Sequence, residues 1–225
     1  MASAEAVSGS ASREELPGLK WAVAWYKGHQ RAATGIGIAV VAAVGLSWWT
    51  AVSKGKVEAA ASQKLSEARL ALESHNYPLA ASELAQVVEN YSGSKAAEQA
   101  NLLLAETRLD QGQTEQAIDL LKRITTSTGR DFVAQAYGLL GAAYENAERP
   151  QDAATAYETA ATHAQFPFQR AQYLSEAGRC WTVVGDTAKA VADYLTIVSK
   201  MDSTQSLMEA KVRLGELLKG VLPAP

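Results

Sequence analysis

The chain has 225 residues, 21 Lys and Arg against 24 Asp and Glu, and a formal net charge of −3. That length allows one ordinary domain plus an anchoring segment. The balanced charge offers no clustered basic face, which excludes the electrostatic footprint of a nucleic-acid binder.

Residues 1–18 are small and polar and end in Leu16-Pro17-Gly18. They read as an N-terminal tail without a packed core. They lack the basic start and immediate apolar stretch of a signal peptide. Residues 19–56 read as a membrane segment. Trp21 and Trp25 are four apart, near Tyr26 and between Lys20 and Lys27, a spacing suited to the headgroup level. Residues 32–52 carry no charge. As a helix they span about 31 Å, against a hydrocarbon core of about 30 Å. Arg31 closes one end and Lys54 and Lys56 the other. Trp48 and Trp49 near the second end complete, with Trp21 and Trp25, the predicted membrane-interface set. Gly35, Ala39, Ala43 and Ser47, spaced by four, predict a smooth stripe for packing another helix in lipid. Gly35-Ile36-Gly37 lies inside the span rather than after a strand, so it is no phosphate loop.

Residues 57–225 have helical apolar spacing almost throughout, and alanine, the best helix former, supplies much of the apolar content. An internal repeat decides the fold. Ala68, Ala105, Gly141, Gly178 and Gly215 recur at intervals of 37, 36, 37 and 37. Ala80, Ala117, Ala153 and Ala190 form a second column at 37, 36 and 37. Small residues in register are what crossing helices need where their backbones approach. The third unit places Tyr137, Leu140-Gly141, Tyr144, Ala153, Tyr157 and Ala160 in order; the fourth places Leu174, Gly178, Trp181, Ala190, Tyr194 and Ile197. Both resemble the tetratricopeptide pattern. Gly112, Gly185 with Asp186, Pro78 and Pro150 mark turns and helix starts, and Ser94 and Thr204 are predicted N-caps. The predicted fold is all-α: one N-terminal transmembrane helix, then an α-solenoid of about four tetratricopeptide-like helical hairpins plus a capping helix over residues 208–219. That makes nine helices after the span.

The layout as a whole, with Gly45-Leu46-Ser47-Trp48-Trp49-Thr50 running into Val57-Glu58-Ala59, resembles the bitopic bacterial family called YfgM-like. The resemblance implies an ancillary subunit of the Sec translocon in the bacterial inner (cytoplasmic) membrane. It also implies a cytoplasmic N-terminus and periplasmic repeats. Charge alone leaves the orientation open, since Arg13, Lys20, Lys27 and Arg31 equal Lys54, Lys56, Lys64 and Arg69 in number.

No catalytic constellation is legible. His29, His75 and His163 fall at a membrane edge, a hairpin turn and a helix end, without metal-ligand spacing. The single cysteine, Cys180, can form no internal disulfide and reads as a small buried hydrophobe. Asn90-Tyr91-Ser92 is a glycosylation triplet by pattern only. No cofactor, metal, nucleic acid or small-molecule substrate is expected. The concave side, lined by the first helix of each hairpin, is predicted to carry Leu65, Arg69, Leu72, Leu102, Glu106, Leu109, Gln135, Glu145, Asn146, Gln172 and Arg179. Its anchor-proximal end would be apolar and the rest polar. The Lys and Asn clamp that grips C-terminal carboxylates in some tetratricopeptide proteins is missing. The expected function is a non-catalytic, membrane-anchored scaffold, an accessory subunit of an integral-membrane complex such as a translocon, respiratory or photosynthetic assembly. It would be held through span, repeats and lipid bilayer. The alternative is a periplasmic chaperone-like tether beside the Sec translocon.

Overall fold

The computed structural model describes residues 30–201 and 205–218. These form nine α-helices and, among the described residues, no strand. They are α1 (Gln30–Glu73), α2 (Tyr77–Asn90), α3 (Lys95–Asp110), α4 (Thr114–Ser127), α5 (Val133–Asn146), α6 (Pro150–His163), α7 (Pro167–Val184), α8 (Thr187–Lys200) and α9 (Ser206–Leu217). The chain divides into two compact units, Met1–Ser53 and Lys54–Pro225.

In the first unit, the described side chains of α1 up to Ser53 are exposed, with Ile38, Val41, Leu46, Trp48 and Trp49 open to the surroundings. Among the described residues, Ile38–Glu73 is the helical stretch long and apolar enough to cross a membrane, judged by length and composition. Its two hydroxyl groups near the tryptophans bond within the helix. Ser47 Oγ donates to the Val44 carbonyl at 2.8 Å, and Thr50 Oγ1 to the Ser47 carbonyl at 2.9 Å.

The second unit is a stack of hairpins. Residues 54–73 with α2, α3 with α4, α5 with α6, and α7 with α8 make four, and α9 closes the series. From α2 onward each helix packs on the next, and first helices also meet directly, α3 on α5 and α7 on α9. One continuous core runs from Ala61 through Leu84, Leu121, Leu140, Tyr157 and Trp181 to Leu214. Of the two small-residue columns, Ala68, Ala105, Gly141 and Gly178 are buried and Gly215 half-buried, and Ala80, Ala117, Ala153 and Ala190 are all buried. Their size is set by what faces them. A Cβ on Gly141 would fall 2.7 Å from Cε1 of Tyr157, and one on Gly178 would fall 2.8 Å from Cζ of Tyr194. Gly138 is as tight, with a would-be Cβ 2.5 Å from Cε1 of Tyr173 on α7.

The turn inside each hairpin is one structure used four times. Asn76 N–H donates to the Ala71 carbonyl, Gln113 to Arg108, Arg149 to Tyr144 and Asp186 to Trp181, at 2.8–3.0 Å. Each bond reaches five residues back, the pattern that satisfies the last carbonyls of a helix. It requires a left-handed residue just before, and His75 (φ 57°), Gly112 (73°), Glu148 (57°) and Gly185 (87°) supply it. Asn76, Ser94 and Asp186 cap the helices that follow by accepting from Leu79, Ala97 and Lys189 N–H groups. Pro78, Pro150 and Pro167 occupy first-turn positions, where a missing N–H costs nothing. Thr204 lies outside the described residues; α9 starts after Gln205, with no side-chain cap.

Hairpins are also tied by charge. The Glu58 carboxylate accepts from the Lys95 and Ala96 N–H groups, both at 2.9 Å, so residue 58 caps the second hairpin's first helix. A negative group there also complements the helix dipole. Lys95 Nζ bonds Asp131 at 2.7 Å, and Glu98 accepts from Gly129 N–H at 3.1 Å.

Candidate protein-binding face

The predicted concave residues divide into three groups. Leu65 and Leu102 are 4% and 1% exposed and belong to the core. Both point between the helices of the stack, so they support the face rather than offer side chains to a ligand, and Leu72 and Leu109 are half-buried against the same core. This corrects the expectation of an open apolar end built on all four leucines. Arg69, Glu106, Gln135, Asn146 and Gln172 are exposed. Glu145 and Arg179 are half-buried and form the best-built polar site.

Glu145 lies at the end of α5 and Arg179 in the middle of α7, 34 residues on. Arg179 Nη2 donates to Glu145 Oε2 at 2.5 Å and to Glu176 Oε2 at 2.8 Å. The Glu145 bond, ahead of Glu176, raises the Arg179 guanidinium above its ordinary value. Burial first, and the neighbouring Glu145 carboxylate second, push Tyr157 well above the usual phenol range. These groups border a cleft of about 290 Å³ lined by Glu145, Glu148, Pro150, Arg179, Cys180 and Val183. Burial pushes the Cys180 thiol up to about 12, with Glu145 adding to the effect. It is therefore a neutral thiol and a poor nucleophile. Glu106, on α3, is raised by desolvation first and by Asp110 second.

Behind this face, aromatic residues one repeat apart are braced by cations. Arg149 lies 4.7 Å from the Tyr144 ring centre, and Lys189 lies 3.8 Å from that of Trp181. The Trp181 indole N–H donates to Glu158 at 2.7 Å. Sequence reasoning passed over Glu158, Arg149 and Lys189. The signal available was their nearness to the aromatic column at positions 144 and 181.

Gln172 borders a separate cleft of about 460 Å³ with Phe168, Gln205, Ser206 and Glu209. The structure thus joins Glu145 with Arg179, and Gln172 with α9, while Arg69, Glu106, Gln135 and Asn146 share neither cleft. On the apolar helix, Gly35, Ala39, Ala43 and Ser47 are exposed, and nothing lies within 4 Å of a Cβ built on Gly35. Trp48 and Trp49 are exposed as well, whereas Trp21, Trp25 and His29 lie outside the described residues. His75 sits in the first hairpin turn, and His163 ends α6, stacked on Tyr137 with ring centres 5.9 Å apart. Among the described residues no three His, Cys, Asp or Glu converge as a metal site.

Stacked helical hairpins define a repeat scaffold, a fold that generally holds protein partners rather than performing chemistry. The model of the tetratricopeptide repeat-like domain matches residues 54–173. That is more than half of the 225-residue chain, which belongs to this family. No curated protein matches it by sequence. Among solved structures it is similar to a putative kinesin light chain with nearly identical TPR-like repeats from Podosopora anserina. That likeness has a TM-score of 0.54 and 17% identity over 71% of this chain and 85% of that one. MamA gives a TM-score of 0.54 and 20% identity over 68% and 83%. A tetratricopeptide repeat protein from Parabacteroides merdae gives 0.56 and 10% identity over 71% and 60%. At these identities the likeness shows the fold alone.

Proposed function

We propose that this chain is a single-pass, membrane-anchored interaction scaffold, an accessory subunit of a larger integral-membrane complex. One observation carries the reading. The apolar part of α1 leaves Ile38, Val41, Leu46, Trp48 and Trp49 exposed, within a helical stretch long and apolar enough to cross a membrane. So many large apolar side chains open on one helix suit lipid rather than water. Under this reading residues 1–18 form a tail, 19–56 the interfacial segment and span, and 57–225 the repeat domain. Trp21, Trp25, Trp48 and Trp49 lie at the two membrane surfaces, and Gly35, Ala39, Ala43 and Ser47 pack on a partner helix. Arg69, Glu106, Gln135, Asn146, Gln172 and the Glu145–Arg179 pair offer polar contacts to a partner. In keeping with the YfgM-like resemblance, the proposed anchor belongs to the bacterial inner membrane, with the N-terminus cytoplasmic and the repeats periplasmic.

The test combines Gly35→Leu and Ala39→Leu, followed by carbonate extraction of membranes and native separation in mild detergent. Leucine favours insertion, so membrane retention is expected to persist while the large assembly is lost. Release by carbonate from the parent chain overturns the anchor. An unchanged assembly moves the contact to the repeats. If client proteins then exchange freely on the repeats, the chaperone-like tether beside the translocon replaces the subunit reading.

A further inference from the structure

Asp193 puts a carboxylate where the repeat otherwise sets an apolar side chain. It stands three residues past the small column residue Ala190, as Leu120 does past Ala117 and Ala156 past Ala153. All three are buried, Asp193 to 8% exposure. Its Oδ2 atom is enclosed, and no hydrogen-bond partner reaches it. Burial without a partner disfavours the charged form, so an acid here adds nothing to packing that an apolar residue would not supply better. What it can do follows from its neighbours. Trp181 of α7 is buried and held from two sides. Its indole N–H donates to Glu158 of α6 at 2.7 Å, which ties the fourth hairpin to the third, and Lys189 of α8 lies 3.8 Å from its ring centre.

The two groups that hold Trp181 are the same two charges that act on Asp193, Glu158 against its ionisation and Lys189 for it. Lys189 and Asp193 are four apart on α8 and share a face. Arg179 of α7 and Glu209 and Arg213 of α9 act on the next residue, Tyr194, rather than on Asp193. A negative charge on Asp193 repels the acceptor of the indole and draws the cation off the ring; a proton on it does neither. Glu158 is half-buried and can turn to solvent, whereas Asp193 cannot. We propose that Asp193 is a proton-operated switch of the joint between the third and fourth hairpins: protonated, it leaves Trp181 held by Glu158 and Lys189, and ionised, it releases both. Burial first, and Glu158 second, push the Asp193 carboxyl up to about 7, so the held state belongs to mildly acidic conditions and the released state to mildly alkaline ones. Trp181 follows Arg179 and Cys180 on α7, and both line the Glu145 cleft. Release therefore loosens one wall of the proposed partner site; that consequence rests on the scaffold reading, while the switch itself does not.

The test is fluorine NMR of the full chain, labelled with 5-fluorotryptophan in lipid nanodiscs, from about pH 5 to about pH 9. Trp181→Phe identifies the Trp181 signal. That signal is expected to move between two limiting positions with its midpoint at about pH 7. Asp193→Asn, always neutral, is expected to hold it at the acidic position throughout. Glu158→Gln keeps an acceptor for the indole but removes a charge, and is expected to move the midpoint toward acid. A signal that does not change with pH overturns the proposal, as does a titration that survives in Asp193→Asn. An unchanged midpoint in Glu158→Gln overturns it as well, whether or not Asp193→Asn folds. A titration abolished by His163→Gln belongs to the histidine at the end of α6 and also overturns it. Loss of the anchor in the carbonate test leaves this titration unaffected, so the two readings fail separately.

Discussion

Replacing glycine by alanine at two positions of one column gives opposite results if the rings hold the glycines small. At Gly178 the new Cβ meets Tyr194 Cζ, Cε2 and Cε1 at 2.8, 2.9 and 3.1 Å. Carbon atoms prefer about 3.5–4.0 Å, so all three approaches are too close. Tyr194 is fully buried and cannot swing away into solvent. Overpacking of this kind costs about 1–3 kcal/mol. Alanine's better helix propensity returns up to about 1 kcal/mol. The net effect at Gly178 is a loss of about 1 kcal/mol. At Gly215 nothing opposes the new methyl group, and only the gain of about 0.5–1 kcal/mol remains. Because the propensity contribution is common to both, the difference between the variants isolates the collision, about 1–3 kcal/mol. In thermal melts followed by circular dichroism, each kcal/mol moves Tm by about 2–4 °C for a unit of this size. Equal stability of Gly178→Ala and Gly215→Ala would refute the reasoning and the register built on it.

Further outcomes follow from the same geometry. Burial pushes Asp193 up to about 7, with Glu158 adding and Lys189 opposing. The folded chain then holds a proton that the unfolded chain has lost, so this group's contribution is present at pH 4 and disappears as pH rises through 7. Asp193→Asn, always neutral, is expected to gain stability relative to the parent between pH 5 and 8 in urea titrations; a pH-independent difference counts against it. Cys180, with its thiol pushed up to about 12 by burial, is expected to resist iodoacetamide at pH 8 and to react promptly once urea unfolds the chain. Prompt labelling of the folded protein contradicts the packing around α7. Residues 57–225 alone are expected to give a soluble, highly helical monomer, because the hairpins bury their faces on one another. Aggregation or low helicity in that fragment argues against an independent solenoid.

The period was readable because it is enforced by contact. Ala153 and Ala190 are small where helices cross, and Gly141 and Gly178 are absent of side chain where a ring passes. Such positions leave a mark in a single sequence. Gly112 and Gly185 announced their turns for the same reason, since the left-handed region favours glycine. His75 and Glu148 hold that same backbone without a glycine, and no residue type signals it. The concave row was less legible. Arg179 and Glu145 were placed on it by position, but their mutual bond spans 34 residues and depends on how α5 and α7 stack. Leu65 and Leu102 lie on first helices, whose position suggests the groove, yet both are buried in the core. A leucine on such a helix serves groove or core according to its rotation, and neighbouring polar residues do not fix that within one turn of helix.

The four hairpin turns share a consequence for how such a chain tolerates change. Each is closed by main-chain bonds from Asn76, Gln113, Arg149 and Asp186, and asks only that the preceding residue adopt one backbone state. Side-chain identity there is a matter of a modest conformational penalty, not of a lost partner. Substitutions at His75, Gly112, Glu148 or Gly185 should therefore be absorbed singly, whereas adding or removing one residue there would break the five-residue bond that closes the turn. What such a turn transmits along the chain is a count of residues, and the chemistry written between the counts is free to drift.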